Sequence, residues 1–527
     1  MSVLTSLLST RKLILCIVGL GLIFIVGEYI IITHGDSFKS VQLAPSSISK
    51  CIGSQNSKSK LEPLDQYRAL PADDNESCQK LYGPQYLQHL ADNHISYCED
   101  GSRSSLECFT TTNSDVACVA QGVSYQKSPP KYKKHWSMNC QLRNLTTEIA
   151  LDPSKADDLK LFRDIDKFKE YFNATGVSTQ LRQWDISREE NDNGNSCSMK
   201  KNNKKHTMFV RREGNNNIWH KLLEMWQAKL TLDALQMTDY RSSSGQPYLS
   251  AAARKKVQVV LEDDAQGPVD SLWGTVTGSE PVRLSTLNDA CLGDVILPLV
   301  GTTSPFWIGV WDDMDCKSAY LIDPFIRDIY THLGMTYKDR ATENTVVTII
   351  NRTTTRQIYN IDSHVAKLKT TFPDTTFQII DFSTITLREQ FEIISQTDVL
   401  IGAMGAGLTH MFFLPGQSTV VEIMAPGAHY TGFRSLAKLR KLPYFTAHGT
   451  PEEEWNAAHG APKEAPKEEG KNAARNGARK SKSEVERRHW QNDKYLYLTE
   501  EQFVALAGAA INAQLNRGTR SADVKPY

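Results

Sequence analysis

The chain has no surplus of charge: its 527 residues carry 60 lysines and arginines against 60 aspartates and glutamates. That balance gives no sign of nucleic-acid binding. No segment repeats with a solenoid period. C-x-x-C pairs are missing, which removes a common zinc-site spacing and leaves disulfides as the better use of the nine cysteines after Cys16, an odd number that leaves at least one unpaired. The dinucleotide fingerprint G-x-G-x-x-G is missing as well, which disfavours a nicotinamide or flavin enzyme. Long apolar runs are nearly absent. The one exception is residues 13–33, LILCIVGLGLIFIVGEYIIIT, interrupted only by Glu28.

That run is long enough to cross a bilayer. Arg11 and Lys12 precede it without an acidic residue upstream, and Asp36 and Lys39 follow it close together, so the positive-inside rule assigns residues 1–12 to the cytosol. The expectation is a single-pass type II anchor at 13–33, a Ser/Lys/Gln-rich stem at 34–75, and a lumenal remainder in the Golgi or endoplasmic reticulum. A cleaved signal peptide is the competing reading, because Gly35 and Ser37 lie just past the run. Cysteine usage agrees with an oxidising compartment: a cysteine-rich segment at 76–135 is followed by Cys140, Cys197, Cys291 and Cys316, with connectivity left open. Asn75, Asn144, Asn173 and Asn351 are glycosylation acceptors by sequence.

The rest reads as α/β. In the first unit, 136–330, strands are expected at 207–210, 257–261 and 295–300, with an amphipathic helix over 219–235. In the second, 331–527, strands at 345–350, 377–381, 399–402, 419–423 and 443–446 alternate with helices at 361–372, 386–396 and 431–441. Such alternation implies a doubly wound parallel sheet, which collects ligands at the carboxyl ends of its strands. Residues 449–488 are dense in charge, Ala, Gly and Pro, and are expected to be a disordered insertion.

Two segments of the second unit have the chemistry of a phosphate site. The run 398–422, DVLIGAMGAGLTHMFFLPGQSTVVE, reads as strand, glycine turn, short apolar helix and strand. Its glycines permit a sharp turn and a close approach, and the helix start offers free N–H groups. Strand 345–350 runs into Asn351-Arg352-Thr353-Thr354-Thr355-Arg356, two guanidinium groups suited to bidentate diphosphate contacts. In the first unit, His220 and Glu224 are four apart at the start of a helix capped by Asn217. The carboxylate there is expected to orient the imidazole for general-base work, against the plainer reading of a polar helix start. Glu262-Asp263-Asp264 reads as an ordinary strand-end turn rather than a metal site.

The Asn-Arg-x-x-x-Arg loop and the Gly-Ala-Met-Gly-Ala-Gly-Leu-Thr-His turn together resemble glycosyltransferase family 61. Within it, Thr409-His410 and Phe412-Phe413-Leu414-Pro415 are similar to the EGF-domain-specific O-linked N-acetylglucosamine transferase branch. Asn217-Ile218-Trp219-His220 and Asn139-Cys140-Gln141-Leu142-Arg143-Asn144 extend the resemblance to about residues 136–510. It implies a GT-B arrangement of two Rossmann-type domains facing a cleft, an acceptor-side first domain, and inverting transfer of N-acetylglucosamine or xylose from a UDP-sugar to a hydroxyl of a protein or glycan. It further implies no tightly bound cofactor and no catalytic metal. Arg352, Arg356, Gly405, Ala406, Gly407, Leu408, Thr409, His410 and Glu422 would hold the nucleotide sugar, with Glu422 at the ribose, and His220 with Glu224 would serve the acceptor. The family turn normally reads His-Gly-Ala-Gly, and Met404 replaces that histidine. A catalytically impaired relative that binds UDP-sugar or a glycoprotein as a scaffold is therefore the alternative, with His410 as a candidate substitute for the missing imidazole.

Overall fold

The computed structural model describes residues 64–68, 70, 74–187, 206–214, 217–239, 246–308, 315–337, 344–460 and 493–516. The expected anchor and most of the expected stem lie outside them. No helix among the described residues is long and apolar enough to cross a membrane.

The first half is built on a seven-stranded sheet. Strands β1 (Ser105–Thr110) and β2 (Val116–Gln121) form an antiparallel pair, followed by β3 (His206–Val210), β4 (Gln258–Leu261) and β5 (Asp294–Leu297) in the order β1-β2-β5-β3-β4. His94–Ser96 and Val282–Arg283 add the two edges. The cysteine-rich segment is thus part of this sheet. Cys108 and Cys118 face each other across β1 and β2 and are bridged, and disulfides also join Cys98 to Cys140 and Cys78 to Cys316. Cys291 is disulfide-bonded too.

Helix α1 (Ile218–Met237) starts at its cap Asn217, whose side chain accepts the Trp219 N–H. An amphipathic helix was expected from the sequence, but α1 is buried almost all round. It lies in the centre of the molecule, and its charged residues are neutralised in place. Lys221 pairs with Glu224 at 2.6 Å, and Lys229 pairs with Asp233 at 3.3 Å and with Asp328 at 3.0 Å.

The second half is a five-stranded, wholly parallel sheet: β6 (Val346–Ile350), β7 (Thr376–Ile380), β8 (Val399–Ala403), β9 (Thr419–Met424) and β10 (Tyr444–His448), in the order β7-β6-β8-β9-β10. Its β-branched strands are sealed on both faces. Val347, Ile349, Val399, Ile401, Val421 and Ile423 pack on one side against two helices described below. Ile350, Leu400 and Val420 face the other way, into the core shared with the first half. Helix α2 (Ile322–His332) straddles the boundary expected near residue 330: its Tyr330 hydroxyl donates to the Phe413 carbonyl at 2.7 Å, and Asp323 pairs with Arg440 at 2.5 Å.

Helices α3 (Ile361–Thr371), α4 (Leu387–Ile394) and α5 (Gly432–Leu439) fall where the sequence places them, α4 behind a capping box of Thr386 and Glu389. The region expected to be a disordered insertion begins differently. Glu452–His459 is a helix, α6, that buries Trp455 against Tyr497 at a ring separation of 5.2 Å. One large apolar side chain in a charged run suffices to dock that turn of chain. Residues 461–488 lie outside the described set. A last helix, α7 (Glu500–Leu515), was not expected. It starts at a Thr499–Gln502 capping box and, with α3, covers the β8–β9 face through Phe503, Ala507, Ala510 and Ile511.

Candidate functional site

In a sheet of this order the winding of successive strands reverses between β6 and β8, so the loops leaving their carboxyl ends splay apart and leave room for a ligand. Those two loops are the arginine loop and the glycine turn. Register ties them together: Ile350 pairs with Gly402, and Gly402 pairs with Glu422.

The turn is shaped by close contacts. The Met404 N–H donates to the Ile423 carbonyl at 2.9 Å, which keeps the chain in line with β9, and then Gly405 takes φ +148°, a conformation that favours glycine. The Leu408 N–H closes on the Gly405 carbonyl at 2.9 Å and opens the 3-10 helix Ala406–Phe413. Arg356 lies directly on this turn. Its Nη1 donates to the Met404 carbonyl at 2.6 Å, and a Cβ at position 405 would stand only 3.0 Å from that nitrogen. The Arg356 backbone, at φ +54°, is held by donation of its N–H to the Asp493 carbonyl at 2.6 Å. Arg352 folds back on its own loop, Nε donating to the Thr355 carbonyl at 2.7 Å.

Electrostatics favour an anion here. Burial, and then the neighbouring charge of Arg352, pull Arg356 down to about 10, and burial lowers Arg352 as well. Both remain charged at neutral pH. Two partly desolvated cations that repel one another gain from a diphosphate placed between them.

The other expected donor-side residues separate into two groups. Gly405, Ala406 and Gly407 form the turn itself. Leu408 is buried beneath Gly402, where a Cβ would come within 2.9 Å of its Cδ2. Thr409 is fully buried, and its hydroxyl has no hydrogen-bond partner among the described residues. His410 corrects an expectation: its Nδ1 meets the Gly407 carbonyl and its Nε2 the Gln390 amide oxygen, both at 2.8 Å, inside a pocket with Phe382 and Phe391. Burial depresses its pKa to about 4. Buried with both nitrogens turned onto protein oxygens, His410 does not stand in for the imidazole that the family turn carries where this chain has Met404, whose side chain is itself buried in the core on the α3 side. Glu422 sits within β9, fully buried. The Tyr444 hydroxyl donates to one carboxylate oxygen, while the other has no partner among the described residues, and burial pushes its pKa up to about 7.

On the first half, the expected pairing of His220 with Glu224 is overturned. The His220 Nδ1 is 2.7 Å from Oε2 of Glu213, on the loop before α1. Glu224 instead accepts from Lys221 Nζ and from the Glu213 backbone N–H. One helical turn of separation puts residues 220 and 224 on the same face, but burial of Lys221 beside Glu224 captures that carboxylate first. Glu213 was missed, and its only sequence signal is an acidic residue seven positions before the histidine. The Glu262-Asp263-Asp264 turn serves arginines, as Arg212 is held between Asp263 and Asp270 and Arg211 pairs with Glu262. Among the described residues, no group of three or more His, Cys, Asp or Glu converges on one point.

The two parts of the site belong to elements in contact. Trp219, beside His220, stacks on Phe412 of the 3-10 helix at 5.8 Å and meets Phe433 at 5.5 Å, and Phe306 packs on Phe412 at 5.3 Å. Residues 299–421, which contain Phe306 and Phe412 together with the arginine loop and the turn, match the family model glycosyltransferase 61. They form a glycosyltransferase 61 domain. The match is narrower than the stretch over which the motifs extend the resemblance. Curated relatives agree with it: EGF domain-specific O-linked N-acetylglucosamine transferases from Bos taurus, 34% identical over 136 residues, and from Drosophila melanogaster, 28% identical over 200 residues. These alignments cover 25% of this chain and 25% of the bovine protein, and 33% and 36% in the insect case. The chain thus matches well under half the length of these relatives.

Proposed function

We propose that the protein is an inverting glycosyltransferase that moves a sugar, N-acetylglucosamine before xylose, from a UDP-sugar to a hydroxyl of a protein or glycan in the secretory pathway. The two halves act as the donor and acceptor sides of a GT-B arrangement, in a lumenal domain carried by a single membrane-spanning segment. The observation that carries this reading is Arg356 fixed over the Gly405 turn at the switch point of a parallel sheet. Fixed guanidinium groups and the free N–H groups at the turn would stabilise the negative charge that grows on a departing diphosphate, a role that needs no bound metal or other cofactor. Glu422, the register partner of Gly402 on the strand that leads into the turn, has a carboxylate oxygen without a partner among the described residues and is the candidate for the ribose hydroxyls. The relatives' names favour N-acetylglucosamine as the sugar. Retention of donor binding without transfer is a second reading, favoured by the buried thioether of Met404 where the family turn has histidine.

Thermal-shift titration of the full-length protein with UDP, UDP-GlcNAc, UDP-xylose, GDP-mannose and NAD, with the Arg356→Ala variant in parallel, tests both. We expect stabilisation by one UDP-sugar and at least a tenfold weaker Kd in the variant, since a lost charge-assisted contact costs about 1.5–3 kcal/mol. Absence of any nucleotide response would overturn both readings, and binding without transfer to any acceptor would select the second.

A further inference from the structure

Glu213 is held more tightly than a loop carboxylate needs to be. Its side chain is fully buried, with Oε1 accepting the Thr302 N–H at 2.6 Å and Oε2 on His220 Nδ1. Its backbone is fixed as well: the N–H donates to Glu224, and the carbonyl accepts from the Asn173 amide. Gly301 makes this possible, because a Cβ there would lie 3.0 Å from Oε1 and 3.1 Å from the Glu224 Cγ. The imidazole is in turn confined by rings, Trp307 at 4.9 Å and Phe172 at 5.5 Å, and Phe172 is 51% exposed, which places this face of the ring cluster at the surface. Nε2 of His220 has no hydrogen-bond partner among the described residues, and the side chain remains 15% exposed.

We infer that Glu213 is the positioning residue of the transfer reaction, fixing His220 in the tautomer whose Nε2 takes the proton from the acceptor hydroxyl. The inference rests on the transferase reading above and deepens it. The peptide N–H of Thr302 can only donate, so it occupies one oxygen of Glu213 as an acceptor. With Glu213 ionised, its other oxygen accepts from Nδ1–H, which leaves the lone pair on Nε2. As the acceptor oxygen bonds to the anomeric carbon, its proton passes to Nε2. The bond from that carbon to the diphosphate oxygen breaks with its electron pair, which leaves on the nucleoside diphosphate. The resulting imidazolium faces the Glu213 carboxylate, which stabilises it.

Glu213→Gln tests this with almost no change in shape. The amide oxygen must face Thr302 N–H, so the NH2 group faces Nδ1 and drives the proton to Nε2, the wrong tautomer for a base. Nitrogen-15 spectra of histidine-labelled full-length protein should show His220 protonated on Nδ1 in the wild type and on Nε2 in the variant. In the variant kcat should fall at least about 100-fold, with donor KM and Tm unchanged. A wild-type ring protonated on Nε2 overturns the inference without recourse to any variant, even if Glu213→Gln fails to fold. A variant whose tautomer switches while kcat stays within about threefold of wild type overturns it as well. Donor binding, measured on the same samples, separates the two failures: a protein that binds no nucleotide sinks the transferase reading and the catalytic role of the pair, whereas an Nε2-protonated ring in a protein that does bind sinks the role of Glu213 alone.

Discussion

At the scale of single residues, the molecule keeps several ionisable groups away from water without a full set of partners, and Glu422 is the plainest case. Its pKa is raised to about 7 by burial, with the Tyr444 hydroxyl opposing the shift. The folded chain therefore holds this proton at pH values where the unfolded chain has released it. Stability is greatest below the ordinary carboxylate range, falls as pH rises from about 4.5, and levels off above about 7, with a total contribution on the order of 3 kcal/mol. Urea midpoints at pH 5 and pH 8 should show this decline for the wild type and a smaller one for Glu422→Gln, which cannot ionise. Equal declines would mean that Glu422 is hydrated or paired in solution. A nucleoside hydroxyl donating to the carboxylate would favour its charged form and flatten the same dependence.

At the scale of elements, the 3-10 helix Ala406–Phe413 has two functions, since its start forms the glycine turn and its end carries the aromatic seam. Phe412→Ala removes a ring packed by Trp219 and Phe306 and should cost about 3–5 kcal/mol, read as a lower denaturation midpoint, because the surrounding rings belong to both halves and cannot close the cavity together. A loss under about 1 kcal/mol would show that the seam repacks. The elements of the second sheet were legible in sequence because local pattern and tertiary role agree: its strands are short, largely apolar runs bounded by turn residues, and the helices between them have one apolar face. The site was legible where glycine and arginine identify it, at Gly405 and Arg356. It was illegible where an ion pair is decided in three dimensions. The nearest carboxylate by helical spacing, Glu224, is captured by Lys221, and the one that reaches His220 comes from a loop. Helix α7 escaped notice for a related reason: its alanine-rich surface against α3 is small in side chain and weak in periodicity.

At the scale of the whole molecule, the two sheets share a core, and a disulfide pins the segment that leads into α2. Cys78–Cys316 spans a sequence separation of 238, fastening α2 and its approach to the helix Glu76–Tyr82 at the start of the described fold. Closing so long a loop removes much unfolded-state freedom, so Cys78→Ser with Cys316→Ser should lower stability by about 3–5 kcal/mol. Guanidinium titration would read that loss, and an unchanged midpoint would show that noncovalent packing alone fixes this junction.

Arg356 takes its backbone support from Asp493, a residue reached only after the charged stretch that follows α6. Thr450 also bridges to Tyr497, and Gln357–Ile358 pairs in parallel with Tyr495–Leu496, so both ends of that stretch are fixed by the fold before its length matters. Doubling the length of flexible chain between two held points costs only about 0.6 kcal/mol. Related chains are therefore at liberty to lengthen or shorten this region without moving the arginine, while a single-residue deletion between 493 and 497 would shift the register of the strand that supports it. Tolerance to insertion and intolerance to slippage meet within a few residues of one another.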